Sequence, residues 1–147
     1  MATTVVSRTL AAAQQDVWDV IADPHHLSRW WPRVSRVEAV DAGTFTEVLM
    51  TTKGKPVRAD FTIVEAVAPS LARWRQELDG TPFARVLAQA ETELRLAPAP
   101  DGTGTEVTLS VHETAHGMSN RLGTFLMRRA ARRRLHDALD GLARIVA

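Results

Sequence analysis

Cysteine is absent from the 147 residues, which excludes disulfides and thiolate chemistry. No apolar run approaches the roughly 20 residues needed to span a bilayer. The opening text MATTVVSRTLAAAQQ lacks the basic start and apolar core of a signal peptide. A cytoplasmic location is therefore expected by default. Low-complexity and disorder-prone stretches are missing as well. The composition, 45% hydrophobic and 24% charged, is that of an ordinary globular protein. There is no Ser/His/Asp arrangement, phosphate-binding loop or pair of catalytic carboxylates. Asp101-Gly102-Thr103-Gly104 reads as a turn and not a dinucleotide site, because no helix follows it.

The length suits one soluble α+β domain over residues 1–147, with a core of ordinary size. Sixteen of the eighteen basic residues are Arg and Ala is abundant, which fits a GC-rich bacterial genome. The net charge of +1 hides an asymmetry. Residues 118–147 carry seven Arg against two Asp, net +5, while the first 117 residues are net −4. A basic end on an acidic body reads first as a solvated helix face with some ion pairs to the body. The arginines have no interleaved aromatics, so nucleic-acid binding is not expected.

Hydropathy patterning sets the element order. Thr3 to Leu10 reads as a strand. The stretch AAAQQDVWDVIADP reads as a short helix with Val17, Trp18 and Ile21 on one side, ended by Pro24. A second short helix is predicted from His25 to Trp31, stopped by Pro32. Strands follow near 34–41, 44–52, 56–67, 71–79, 83–97 and 105–115, separated by turn signals. The short links mean antiparallel hairpins. Alternation places Val57, Ala59, Phe61 and Ile63 on one face, and likewise Ala72, Trp74, Gln76 and Leu78. The next strand groups Ala84, Val86, Ala88, Ala90, Thr92, Leu94 and Leu96, and the last groups Val107, Leu109, Val111 and Glu113. After Gly117 the period becomes helical. Leu135, Ala138, Leu139, Leu142, Ile145 and Val146 form one stripe. Met118, Leu122, Phe125 and Leu126 form another, about 150° away at 100° per residue. Gly141 within the helix costs about 1 kcal/mol unless something packs tightly against it.

This order, strand, two short helices, six strands, long C-terminal helix, resembles the helix-grip fold of the START-like (SRPBCC) superfamily. Within it the chain is similar to the polyketide cyclase/dehydrase-like group. The resemblance is carried by Ala12 with Val17-Trp18, by Asp23-Pro24, by Leu27 with Trp30-Trp31-Pro32, and by the Gly102-Thr103-Gly104-Thr105 turn. It implies a curved antiparallel sheet of about seven strands wrapped around the long helix. It also implies a cavity between them for an apolar or aromatic small molecule. Some members of the group cyclise or dehydrate polyketides, and many only bind or carry.

His112-Glu113-Thr114-Ala115-His116 matches the H-E-x-x-H string of zinc proteases, whose chemistry requires a helix. Here a period-two run leads into it. On a strand the two histidines lie about 13 Å apart, too far to share one zinc ion. No metal site and no cofactor is expected. Glu113 falls in the inward phase, where a carboxylate facing a cavity would serve as acid, base or polar anchor. The alternative is that the strand has reached solvent there. Trp30, Trp31 and Trp74 are core or cavity wall, with Trp31, before Pro32, the more exposed.

The expected ligand wall comprises Trp30, Trp31, Phe61, Trp74, Gln76, Ala88, Ala90, Thr92, Leu109 and Val111. Leu122, Phe125 and Leu126 join Met118 as a lid at one end. The small inward residues Ala84, Ala88 and Ala90 leave volume opposite the helix, and Gln76, Thr92 and Glu113 give a mainly apolar wall its few polar groups. Three functions compete on this reading. The first is binding or transport of a hydrophobic small molecule. The second is a cyclase or dehydratase working by positioning and acid–base groups, and the third is an interaction module using the basic helix. A monomer or homodimer without membrane insertion is expected.

Overall fold

Residues alternating between two environments form the strands, and the inward set of each strand makes the core. The computed structural model describes residues 2–116 and 121–146. Strand β1, Ala2–Leu10, is followed by helix α1, Gln14–Ile21, which buries Val17, Trp18 and Ile21. Asp23 then accepts a hydrogen bond from the His25 backbone amide at 3.0 Å and starts a single 3₁₀ turn, Pro24–His26. That turn leads into helix α2, Leu27–Trp30. Six strands follow: β2 (Val34–Glu38), β3 (Thr44–Met50), β4 (Pro56–Val67), β5 (Leu71–Glu77), β6 (Leu87–Pro98) and β7 (Thr105–Ala115). Helix α3 spans Arg121–Val146.

The strands form one antiparallel sheet in the order β1-β7-β6-β5-β4-β3-β2. Only β1 leaves sequence order, crossing over to pair with β7 from Ala2↔Glu113 to Leu10↔Thr105. The sheet curves around α3 in the helix-grip arrangement. Leu135, Ala138, Leu139 and Leu142 of α3 are fully buried with Leu94, Val107 and Leu109 of the sheet. Four successive inward positions on one helical stripe thus bury their apolar side chains in the core.

Two glycines permit close approaches. A side chain at Gly141 of α3 would collide with the Trp30 carbonyl oxygen and lie 2.9 Å from the Trp30 Cα, so α2 seats directly on the α3 backbone. Gly104, at φ +81°, holds the β6–β7 turn against the Leu10 carbonyl. Two ion pairs tie the helix to the sheet. Arg8 meets Asp140 at 2.6 Å, and Arg134 meets Glu113 at 3.3 Å.

The structure departs from the sequence-based expectations in three places. Residues 82–85 make a 3₁₀ turn, so β6 begins at Leu87 and not near 83. A bulge between Leu87 and Gln89 breaks the alternation there. Ala84 therefore sits in the turn, and Val86 and Ala88 are exposed. The third departure is the first half of α3. It packs through the buried Gly123 and Ala131, which lets the helix lie close to β1. The bulkier Leu122, Phe125 and Leu126 point outward, 67%, 57% and 51% exposed. Among the described residues no helix is long and apolar enough to cross a membrane.

Candidate functional site

The inward face of β3 carries Phe45, Glu47 and Leu49, spaced by two. Antiparallel pairing sets Phe45 beside Phe61 and Glu47 beside Ala59 on β4, and Phe61 beside Gln76 on β5. Across the next strands Trp74 faces Thr92, Thr92 faces Val111, and Ala90 faces Glu113. Helix α3 brings Arg134 down onto this surface. Between them lies a cavity of about 320 Å³, bounded also by Trp31, Pro32, Arg33, Leu49, Phe83 and Leu87. Its small inward residues, Ala59 and Ala90, are what keep the space open.

Aromatic rings brace one wall. Phe45 stacks on Phe61 with centroids 5.2 Å apart, and meets Trp74 edge-on at 5.3 Å. Trp31 approaches Trp74 at 6.3 Å and Trp30 at 5.3 Å, both edge-on. Such contacts fix ring orientation more firmly than aliphatic packing does.

The polar groups are few and unusual. Glu47 is 4% exposed. Burial pushes its carboxyl up from the ordinary 4.5 to about 8, with the Arg134 charge pulling weakly the other way. It is therefore a neutral acid at neutral pH. Arg134 is held 3.3 Å from Glu113, so its charge is compensated on the cavity wall. The Gln76 side-chain Nε2 is buried with no hydrogen-bond partner among the described residues.

The family described as polyketide cyclase/dehydrase and lipid transport matches residues 1–147. The chain belongs to that family. Solved structures with this fold include a START superfamily protein from Mycobacterium smegmatis, 10% identical with a TM-score of 0.77, covering 99% of this chain and 97% of that one. The Zhui aromatase/cyclase from Streptomyces sp. R1128 is 16% identical with a TM-score of 0.74, covering 96% and 90%. The di-domain ARO/CYC StfQ from the steffimycin biosynthetic pathway is 14% identical with a TM-score of 0.78, covering 99% of this chain but 50% of that one. At these identities the similarity is one of fold. No curated protein matches.

In this family member, Trp31, Phe61, Trp74, Gln76, Ala90, Thr92, Val111 and Glu113 all line the cavity. Other expected wall residues lie elsewhere. Trp30 and Leu109 are buried in the core without reaching the cavity. Both tryptophans are buried, and it is Trp31 that meets the cavity. Ala88 is carried out to solvent by the bulge. Leu122, Phe125 and Leu126 face away from the cavity and do not close it, while Met118 lies outside the described residues. His112 sits on strand β7 with its ring Nδ1 3.0 Å from the Thr3 hydroxyl, so the H-E-x-x-H string lacks the helix that its chemistry needs. Among the described residues no three His, Cys, Asp or Glu side chains group as metal ligands.

Sequence reasoning passed over Glu47 and Arg134. Glu47 had a signal: it is the charged member of the alternation Phe45, Glu47, Leu49. Arg134 had none, because it sits in a run of three arginines whose other members are exposed.

Proposed function

We propose that the chain binds a hydrophobic, aromatic small molecule between the sheet and α3. The observation that carries this reading is the cavity of about 320 Å³, with an aromatic wall and a small set of polar groups. That volume and make-up are those of a small-molecule site. Native mass spectrometry of the protein as purified tests it directly. A co-purifying species, or micromolar binding of the uncharged apolar probe Nile red, is the expected result. The absence of both in the wild-type protein would overturn the reading.

A second reading, acid–base catalysis of a cyclisation or dehydration, is favoured by one observation. Glu47 holds its proton up to about pH 8 on the cavity wall, the state a general acid needs at neutral pH. Its test is turnover. A captured β-hydroxy ketone should lose water on the wild-type protein and persist on Glu47→Gln. Release of the unchanged molecule from both leaves a carrier.

A further inference from the structure

We infer that the outward face of the first half of α3 docks on an anionic lipid bilayer, with its apolar side chains in the acyl boundary and its arginines at the phosphates. This surface lies apart from the cavity, so its role is independent of the binding reading above.

Of the seven large apolar side chains exposed among the described residues, four collect in one place: Leu122, Phe125 and Leu126 of α3 and Val5 of β1. Residues three and four apart are neighbours on a helix, so the α3 trio forms one patch. Val5 and Phe125 line a surface groove together with Arg128, Arg129 and Arg132. At about 100° per residue, the apolar trio and Arg128, Arg129, Arg132 and Arg133 fall within an arc of about 160°. The buried Gly123 and Ala131 lie on the opposite side. The fold thus turns small residues inward here and leaves the bulky and charged ones in solvent.

Two features specify the partner. The first is uncompensated charge. Arg8 and Arg134 pair with Asp140 and Glu113, whereas Arg128, Arg129, Arg132 and Arg133 form no ion pair among the described residues. All four are exposed. An anionic surface is attracted to such a face. The second is order along the helix axis. The apolar trio comes first and the arginines follow, Phe125 preceding Arg129 by about 6 Å at 1.5 Å per residue. Interfacial helices bury their apolar groups about 5–10 Å into the headgroup–acyl boundary. A bilayer therefore offers an apolar and an anionic layer at the spacing this face presents. Asp137 and Asp140 come later along the helix, away from the phosphates. A second copy fits less well, because two-fold pairing of this face sets the same arginines against one another. A nucleic acid meets the arginines but has no apolar layer for Leu122 and Leu126.

Cosedimentation tests this with vesicles of phosphatidylcholine alone and of phosphatidylcholine with about 30 mol% phosphatidylglycerol. At about 0.15 M salt the wild-type protein should bind the anionic vesicles at least about tenfold more tightly than the neutral ones. Arg129→Gln and Arg132→Gln should each weaken that binding about fivefold, and Arg129→Lys by less than about twofold. Phe125→Ser should weaken it about tenfold. Circular dichroism confirms that each variant is folded. Equal binding to both kinds of vesicle overturns the inference. So does anionic binding that Phe125→Ser leaves intact, since charge alone would then explain it. Analytical ultracentrifugation examines the competing occupant. A wild-type dimer that Phe125→Ser separates into monomers would assign the face to a second copy and overturn the inference as well.

Discussion

A carboxyl enclosed by protein loses the water that stabilises its charge, and Glu47 carries the consequence as a pH dependence. In the unfolded chain it titrates near 4.5, and in the fold near 8. Between these values the folded protein keeps a proton that the unfolded chain has released. Unfolding thus releases a proton, and stability falls as pH rises through the window. Below pH 4.5 both states are protonated, and above pH 8 both are ionised, so the contribution is flat on either side. The limiting slope is about 1.4 kcal/mol per pH unit. Denaturant titrations of wild type and Glu47→Gln should therefore diverge from pH 5 to 8, with the variant gaining relative stability. Parallel curves would show that the carboxyl is hydrated. Ala90 and Ala88 give a second contrast. Ala90 lines the cavity and Ala88 lies in the exposed bulge. Ala90→Phe should fill the space and weaken Nile red binding by at least about tenfold in a folded protein. Ala88→Phe should leave binding unchanged within about twofold.

At the scale of elements, local regularities set the period and irregularities set the phase. The inward series Ala90, Thr92, Leu94, Leu96 on β6 follows alternation. Alternation cannot run back past the bulge at Leu87 and Gln89, because one extra residue there reverses which side faces in. Helix α3 shows the same limit. Large apolar residues mark its second half correctly, whereas in its first half the residues against the sheet are the small ones, Gly123 and Ala131. Helix contacts of close approach favour small side chains, which a search for bulky hydrophobics overlooks. Gly141 is a case where the signal was readable: a glycine in mid-helix implied a close neighbour, and the neighbour is the Trp30 backbone. Alanine is the better helix former by about 1 kcal/mol. Gly141→Ala should nevertheless destabilise the protein by about 1–3 kcal/mol in denaturant unfolding, since backbone cannot give way as a flexible side chain can. A gain in stability would mean that α2 shifts freely.

For the whole molecule, the sheet and α3 are one cooperative structure. Leu94, Val107 and Leu109 of its inward face share one core with the stripe Leu135, Ala138, Leu139 and Leu142. A chain lacking 118–147 should show no cooperative thermal melt, because the apolar face would be left in water. A sharp transition in that truncated chain would show that the sheet folds alone. The charge asymmetry belongs to this scale as well. The basic helix lies against an acidic body, and part of the asymmetry is absorbed by Arg134–Glu113 and by Arg8–Asp140.

Element order, the antiparallel hairpins and the apolar stripe of the second half of α3 were determined by the sequence itself, since each arises from spacing along a few neighbouring residues. So were the inward phases of β5 and β7, which place Trp74, Gln76, Val111 and Glu113. The meeting of Glu47, Gln76, Glu113 and Arg134 at one cavity was decided only by the tertiary structure. These residues come from β3, β5, β7 and α3, and they converge because of the sheet order and the curvature of the sheet around the helix. Desolvation, which keeps Glu47 protonated, is likewise a property of the enclosing walls and not of any stretch of chain.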